Sequence, residues 1–245
     1  MIRLPNPKSD IQEYIRIIAI INNYTEESKE NSFNFNNISK NLTKVGTISS
    51  QKTFGSKAIE ASYRENKSLD SVFNQSKALS EVLRLLGFIV SIRNQHTFQV
   101  TQFGKFVASY FDTPRDDQKT EILKLVAYAF LNINFKHPQI ISNEDINVKP
   151  FLATLQILPQ IESFITRDEF NYFILTLGND TEKALKDAST AILKARNEKD
   201  YFKTHKENIL KDRGITKNTA SNYTRIPISF FKSFNLLRKD NIKSF

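Results

Sequence analysis

Apolar positions along the chain recur at helical spacing in some stretches and at strand spacing in others. From Ser9 to Asn23, Ile11, Ile15, Ile18 and Ile21 approximate one apolar stripe, and Ser9 with Gln12 forms a capping-box pattern, so a helix is predicted. The polar stretch Tyr24 to Phe35 reads as a loop. Shorter helices are predicted over 37–45 and 56–66, with Gly55 as a turn between them. A helix after Asn74 buries Ala78, Leu79, Val82, Leu85 and Leu86, and Gly87 suits the position just past its end. Phe88–Ile92 and His96–Val100 alternate and are rich in strand formers, which predicts a hairpin with Arg93, Asn94 and Gln95 at its tip. Thr101 caps the helix that follows.

The middle of the chain has another character. Pro114 and the run Arg115-Asp116-Asp117 mark a boundary, with the acidic pair favourable at a helix start. Glu121–Leu131 is strongly apolar (Ile122, Leu125, Val126, Ala129, Phe130) and belongs to a core. Pro138–Val148 reads as a loop, and Pro150 sits where a helix can begin. Thr166 and Glu169 form a capping box ahead of an apolar helix that Gly178 ends, and Thr181 to about Arg213 reads as one long charged helical stretch. Two short helices follow, 217–224 and 227–234, broken at Ile226-Pro227. Phe230, Phe231, Phe234 and Leu237 are expected in the core, with Ser229, Lys232 and Ser233 facing outward.

Residues 73–110 and 216–245 thus share a plan of helix followed by hairpin, and the second copy ends inside its hairpin. The expected fold is mainly α with small β-wings: tandem winged-helix (helix-turn-helix) subdomains joined by a helical linker. The expected divisions are 1–111, 112–193 and 194–245. A helix placed in the DNA major groove and flanked by a wing is a common use of this plan.

Charge strengthens that picture. Of the net +9, residues 39–111 carry 10 basic and 4 acidic side chains, and residues 194–245 carry 13 and 5. Residues 1–38 and 112–193 are net acidic. The two basic blocks are the two that hold the helix–wing pattern, and Lys and Arg neutralising phosphates supply most non-specific DNA affinity.

Other chemistry finds little footing. There is no cysteine, and the three histidines are far apart in sequence without metal-ligand spacing. No apolar run approaches the roughly 18–20 residues needed to cross a membrane, and the start MIRLPNPKSD lacks the apolar core of a signal peptide. A cytoplasmic protein is expected. The triplets Glu27-Ser28-Lys29 and Glu65-Asn66-Lys67 follow no strand with a suitably placed Asp, as a Mg²⁺ nuclease site would require, and both read as non-catalytic. No phosphate loop, Ser/His/Asp arrangement or zinc-protease motif is present.

Recognition helices touch base edges through residues near their N-termini. In the first unit these are Asn74, Gln75, Ser76, Lys77 and Ser80, with Arg84 as a backbone contact and the wing tip Arg93, Asn94 and Gln95 reaching phosphate or minor groove. In the second they are Lys217, Asn218, Asn222, Thr224, Arg225, Ser229 and Lys232. The alternative for any single position is an ordinary solvated helix face.

With those residues in view, the chain from about residue 54 onward resembles the recognition region of type IIS (FokI-like) restriction endonucleases and related nicking endonucleases. The resemblance rests on F-N-Q-S-K-A-L…L-L-G-F, on F-Q-V-T-Q-F-G-K, E-I-L-K-L-V and V-K-P-F-L-A-T-L-Q-I-L-P, then on I-T-R-D-E-F-N-Y-F-I-L-T-L-G-N and A-R-N-E-K-D, in this order and spacing. It implies winged-helix-like subdomains wrapped around double-stranded DNA with a short asymmetric site, with Asn74, Gln75, Ser76 and Lys77 at the DNA. It also implies a separate nuclease domain or subunit that uses Mg²⁺, expected beyond Phe245, and no cofactor in this chain. The alternative from a different class is a stand-alone winged-helix transcriptional regulator, which would favour a homodimer on a palindromic operator.

Overall fold

The computed structural model describes residues 8, 10–29, 32–66, 69–92, 97–136, 146–237 and 242–243. It is mainly helical with a small three-stranded antiparallel sheet, an arrangement compatible with a winged helix. The chain packs as two compact units, one of Asp10–Val126 and one that takes in everything from Ala127 onward. The expected boundary between 193 and 194 therefore falls inside the second unit.

In the first unit, α1 (Ile11–Glu27) is capped by Asp10, whose carboxylate accepts from the Gln12 amide at 3.0 Å; the expected cap was Ser9. Ile11, Tyr14, Ile15, Ile18 and Ile21 bury on one face, and the helix runs past Asn23 to Glu27, where the Asn22 amide donates to the Glu26 carboxylate at 2.9 Å. The predicted loop to Phe35 contains a strand, β1 (Phe33–Asn34), and α2 (Phe35–Lys44) starts where that loop was to end. Then come α3 (Gly55–Ser62), α4 (Ser71–Leu85), β2 (Ile89–Ser91), β3 (Thr97–Val100) and α5 (Gln102–Ala108). The sheet order is β1-β3-β2, with Phe33 opposite Phe98 and Ile89 opposite Val100.

The hairpin is joined tightly to α5. The Thr101 hydroxyl accepts from the Gly104 amide at 2.8 Å and also lies 2.7 Å from the Gly87 carbonyl, to which it donates. Gly87 takes φ +73° just past α4, as its sequence position suggests.

The helix α6 (Asp116–Leu131) begins in the first unit and ends in the second. It buries Ile122, Val126 and Phe130, whereas Leu125 is exposed, contrary to its expected core role.

The second unit contains α7 (Pro150–Ile157), with its proline in the first turn, and a short strand β4 (Ile165–Thr166). A helical turn α8 (Arg167–Glu169) carries the predicted Thr166–Glu169 capping box and passes into one π-helical turn, Phe170–Ile174. The expected long helix is two, α9 (Glu182–Asn197) and α10 (Lys199–Arg213), because Glu198 leaves the helical conformation with φ −122° and ψ 93°. Then come α11 (Lys217–Asn222), α12 (Arg225–Ser233) and β5 (Ile242–Lys243).

An aromatic core holds this unit together. The Phe130 ring stacks on Phe151 at 4.1 Å and meets Phe230 and Phe231 edge-on at 4.9 and 5.5 Å. Where the second wing was expected, β5 pairs in parallel with β4, Ile165 opposite Ile242, and residues 238–241, the rest of that wing, lie outside the described residues. Its partners, Ile165 and Thr166, lie far back in the chain, a pairing that no local pattern signals.

Candidate nucleic-acid interface

The surface of α4 is built from its N-cap outward. The Asp70 carboxylate accepts from the Phe73 amide at 3.0 Å and fixes the start of the helix. Val72, Leu79, Val82 and Leu83 pack inward. This leaves Asn74 and Lys77 exposed, with Ala78, Glu81 and Arg84 half-buried beside them on the same open stripe.

Two expected readers are removed by this register. Ser76 and Ser80 are buried, and their hydroxyls donate to the Val72 and Lys77 carbonyls of their own helix at 2.9 Å each. A serine bonded back to its own helix is compatible with the core-facing side, so its polarity is a poor guide to exposure. Gln75 is half-buried, and its amide donates to the Ser49 carbonyl at 2.9 Å, so it braces the α2–α3 connection. The Arg84 guanidinium lies over the Phe98 ring at 5.7 Å, and its Nε donates to the Ser80 carbonyl at 3.3 Å. Burial pushes its pKa below the ordinary guanidinium range, against the opposing pull of Glu81; arginine nevertheless stays charged. Arg93, Asn94 and Gln95 lie outside the described residues.

The residues expected from sequence are amides, hydroxyls and cations, with no carboxylate among them. Yet Glu81 shares the open stripe, and a carboxylate can accept from cytosine N4 in the major groove.

The second unit presents a comparable surface. The Thr216 hydroxyl accepts from the Thr219 amide at 3.2 Å and caps α11, which exposes Lys217, Asn218 and Asn222. Tyr223 and Thr224 make the turn into α12, three residues before the expected break at Ile226-Pro227, and Pro227 sits in the first turn of α12, where its missing N–H costs nothing. Thr224 is fully buried with its hydroxyl on the Ser221 carbonyl at 2.8 Å, which withdraws it from the expected DNA-facing set. Arg225, Ser229 and Lys232 follow at i, i+4 and i+7 on the side away from Phe230 and Phe231; Arg225 and Lys232 are exposed and Ser229 is half-buried.

A different candidate is the cavity of about 700 Å³ in the second unit, lined by residues that include Phe164, Arg167, Glu169, Arg196 and Lys199. Its central charge is already fully used. Arg196 grips Glu169 through Nε at 2.7 Å and Nη2 at 3.0 Å, and its remaining donors go to Glu162 and to the Ile161 and Phe164 carbonyls. All five guanidinium N–H groups have acceptors, so the arrangement ties the Ile161–Phe164 loop to α8 and α9. Among the described residues, no three His, Asp or Glu side chains come together as a metal site would require, and no helix is long and apolar enough to cross a membrane. Comparison of the sequence with protein-family models and with curated proteins finds no match in either.

Proposed function

We propose that this chain binds double-stranded DNA sequence-specifically, as the recognition part of a type IIS restriction or nicking endonuclease, with cleavage carried by a separate nuclease domain or subunit. The observation that carries the reading is the surface of α4. It is an amphipathic helix set directly before a two-stranded hairpin, and its open stripe holds an amide, a cation and a carboxylate: Asn74, Lys77 and Glu81. Those are the side-chain types that pair with adenine, guanine and cytosine in the major groove. The stripe Arg225, Ser229 and Lys232 on α12 supports a second contact surface in the other unit. Positive charge concentrated in 39–111 and 194–245 supports a polyanionic partner.

Binding to labelled duplexes tests the proposal. The expected outcome is salt-sensitive binding with a marked preference for one short non-palindromic sequence, and no strand scission by this chain. Equal affinity for every duplex sequence would refute it.

A further inference from the structure

Between α2 and α3 the chain makes a turn whose conformation is unfavourable for the residues in it. Ser50 and Thr53 face each other as an antiparallel bridge, with Thr53 N–H on the Ser50 carbonyl at 2.8 Å and Ser50 N–H on the Thr53 carbonyl at 3.2 Å. The two residues at the tip, Gln51 and Lys52, both have positive φ, 49° and 62°. A two-residue turn of this kind favours Asn-Gly, and a long side chain there is sterically disfavoured.

The turn is also rigidly placed. Ile48 is fully buried behind it. The Ser50 and Ser71 hydroxyls meet at 2.7 Å, and Gln75 holds the Ser49 carbonyl, so two residues of the first turns of α4 clamp it. Ser71 and Gln75 occupy the edge of α4 next to Asn74, so the turn stands beside the open stripe. Gln51 and Lys52 are exposed there. The Gln51 amide leans back to the Ala61 carbonyl at 3.4 Å, while Lys52 makes no ion pair among the described residues. Charge points the same way: from Asn31 to Ile59 the sequence holds Lys40, Lys44, Lys52 and Lys57 and not one acidic residue.

We infer that the Ser50–Thr53 turn is a further DNA-contacting element of this unit, in which Lys52 holds a backbone phosphate beside the groove entered by α4. This rests on the DNA-binding reading above. It accounts for a clamped, strained turn that presents a cation at the edge of the reading helix. A phosphate contact fixes register and carries no base preference.

The test is the full 245-residue chain with Gln51→Asn and Lys52→Gly together, and separately with Lys52→Gln. Binding is read by fluorescence anisotropy on a labelled pool of random duplexes and on the duplex that selection recovers. The double change relieves the strain, so the thermal midpoint should rise by about 2–5 °C. Affinity should nevertheless fall roughly fivefold on both probes, and the slope of log affinity against log salt should shrink by about one. Lys52→Gln, which leaves the turn as it is, should show the same loss. Unchanged affinity and salt slope in Lys52→Gln would overturn the inference, as would a loss confined to one sequence. If the unmodified chain binds no duplex, the DNA-binding reading falls with it; if the unmodified chain binds and the variants bind equally well, the inference alone falls.

Discussion

Arg196 shows how one residue can tie together a local structure through its own hydrogen bonds. Its partner Glu169 is 4% exposed and also accepts from the Thr166 amide at 2.7 Å, so the pair secures the capping box as well as the loop. Glu169→Ala would leave a mostly buried guanidinium short of two acceptors, at a cost of about 3 kcal/mol. Arg196→Lys should recover little of the loss seen in Arg196→Ala, because a point charge cannot reproduce the planar fork. Denaturant unfolding of the three variants checks both statements. Nearby, burial, with the charge of Asp168 adding to it, raises the Tyr172 phenol above its ordinary 10.0. The folded state therefore keeps this proton after the unfolded chain has lost it, and stability falls as pH rises through 10 and beyond. Tyr172→Phe should flatten that alkaline decline while leaving the neutral-pH behaviour close to unchanged. Thermal melts between about pH 8 and 11.5 measure it, and an identical decline in both proteins would remove Tyr172 as its source.

At the scale of elements, the junction between hairpin and α5 is the most sensitive point of the first unit. A methyl group on Gly104 would lie 2.1 Å from the Phe88 carbonyl oxygen, which is backbone and cannot swing aside. Gly104→Ala should therefore destabilise by about 2–3 kcal/mol, measurable as a lowered midpoint in urea. Here the sequence was legible: Thr101, Gly87 and the alternation of 88–92 and 96–100 announce the junction. The helices around Thr166 and Pro150 were legible for the same reason, since caps and prolines act locally. What escaped had non-local or silent causes. The pairing of β1 with β3 depends on Phe98, far along the chain, and that of β5 with β4 on Ile165. The break at Glu198 has neither Gly nor Pro to announce it. Ser76, Ser80 and Thr224 look polar in sequence but spend their hydroxyls on their own backbones, so two of the six α4 positions drawn from sequence, and one on the second unit, lie inside. Asn74 and Lys77 remain, and they should behave differently. Asn74→Ala should relax preference at one base position, a change of about 1–3 kcal/mol in discrimination, whereas Lys77→Ala should weaken binding and lower its salt dependence more uniformly. Competition between variant duplexes separates the two.

In the molecule as a whole, two units each expose a polar helical stripe above an apolar core. Two different stripes, Asn74–Lys77–Glu81 and Arg225–Ser229–Lys232, cannot read the two halves of a palindrome in the same way. A single chain is therefore predicted to read an asymmetric site, which sets this account apart from a dimeric regulator on an operator of two equal half-sites. The positive charge in residues 39–111 and 194–245 predicts that binding weakens steeply as salt rises. The most direct test is selection of bound duplexes from a random pool, followed by the affinity and stoichiometry of the chain on the recovered sequence. The account predicts one short non-palindromic consensus, bound by one copy of the chain far more tightly than random duplex. Recovery of no consensus, with equal affinity across the pool, would contradict it.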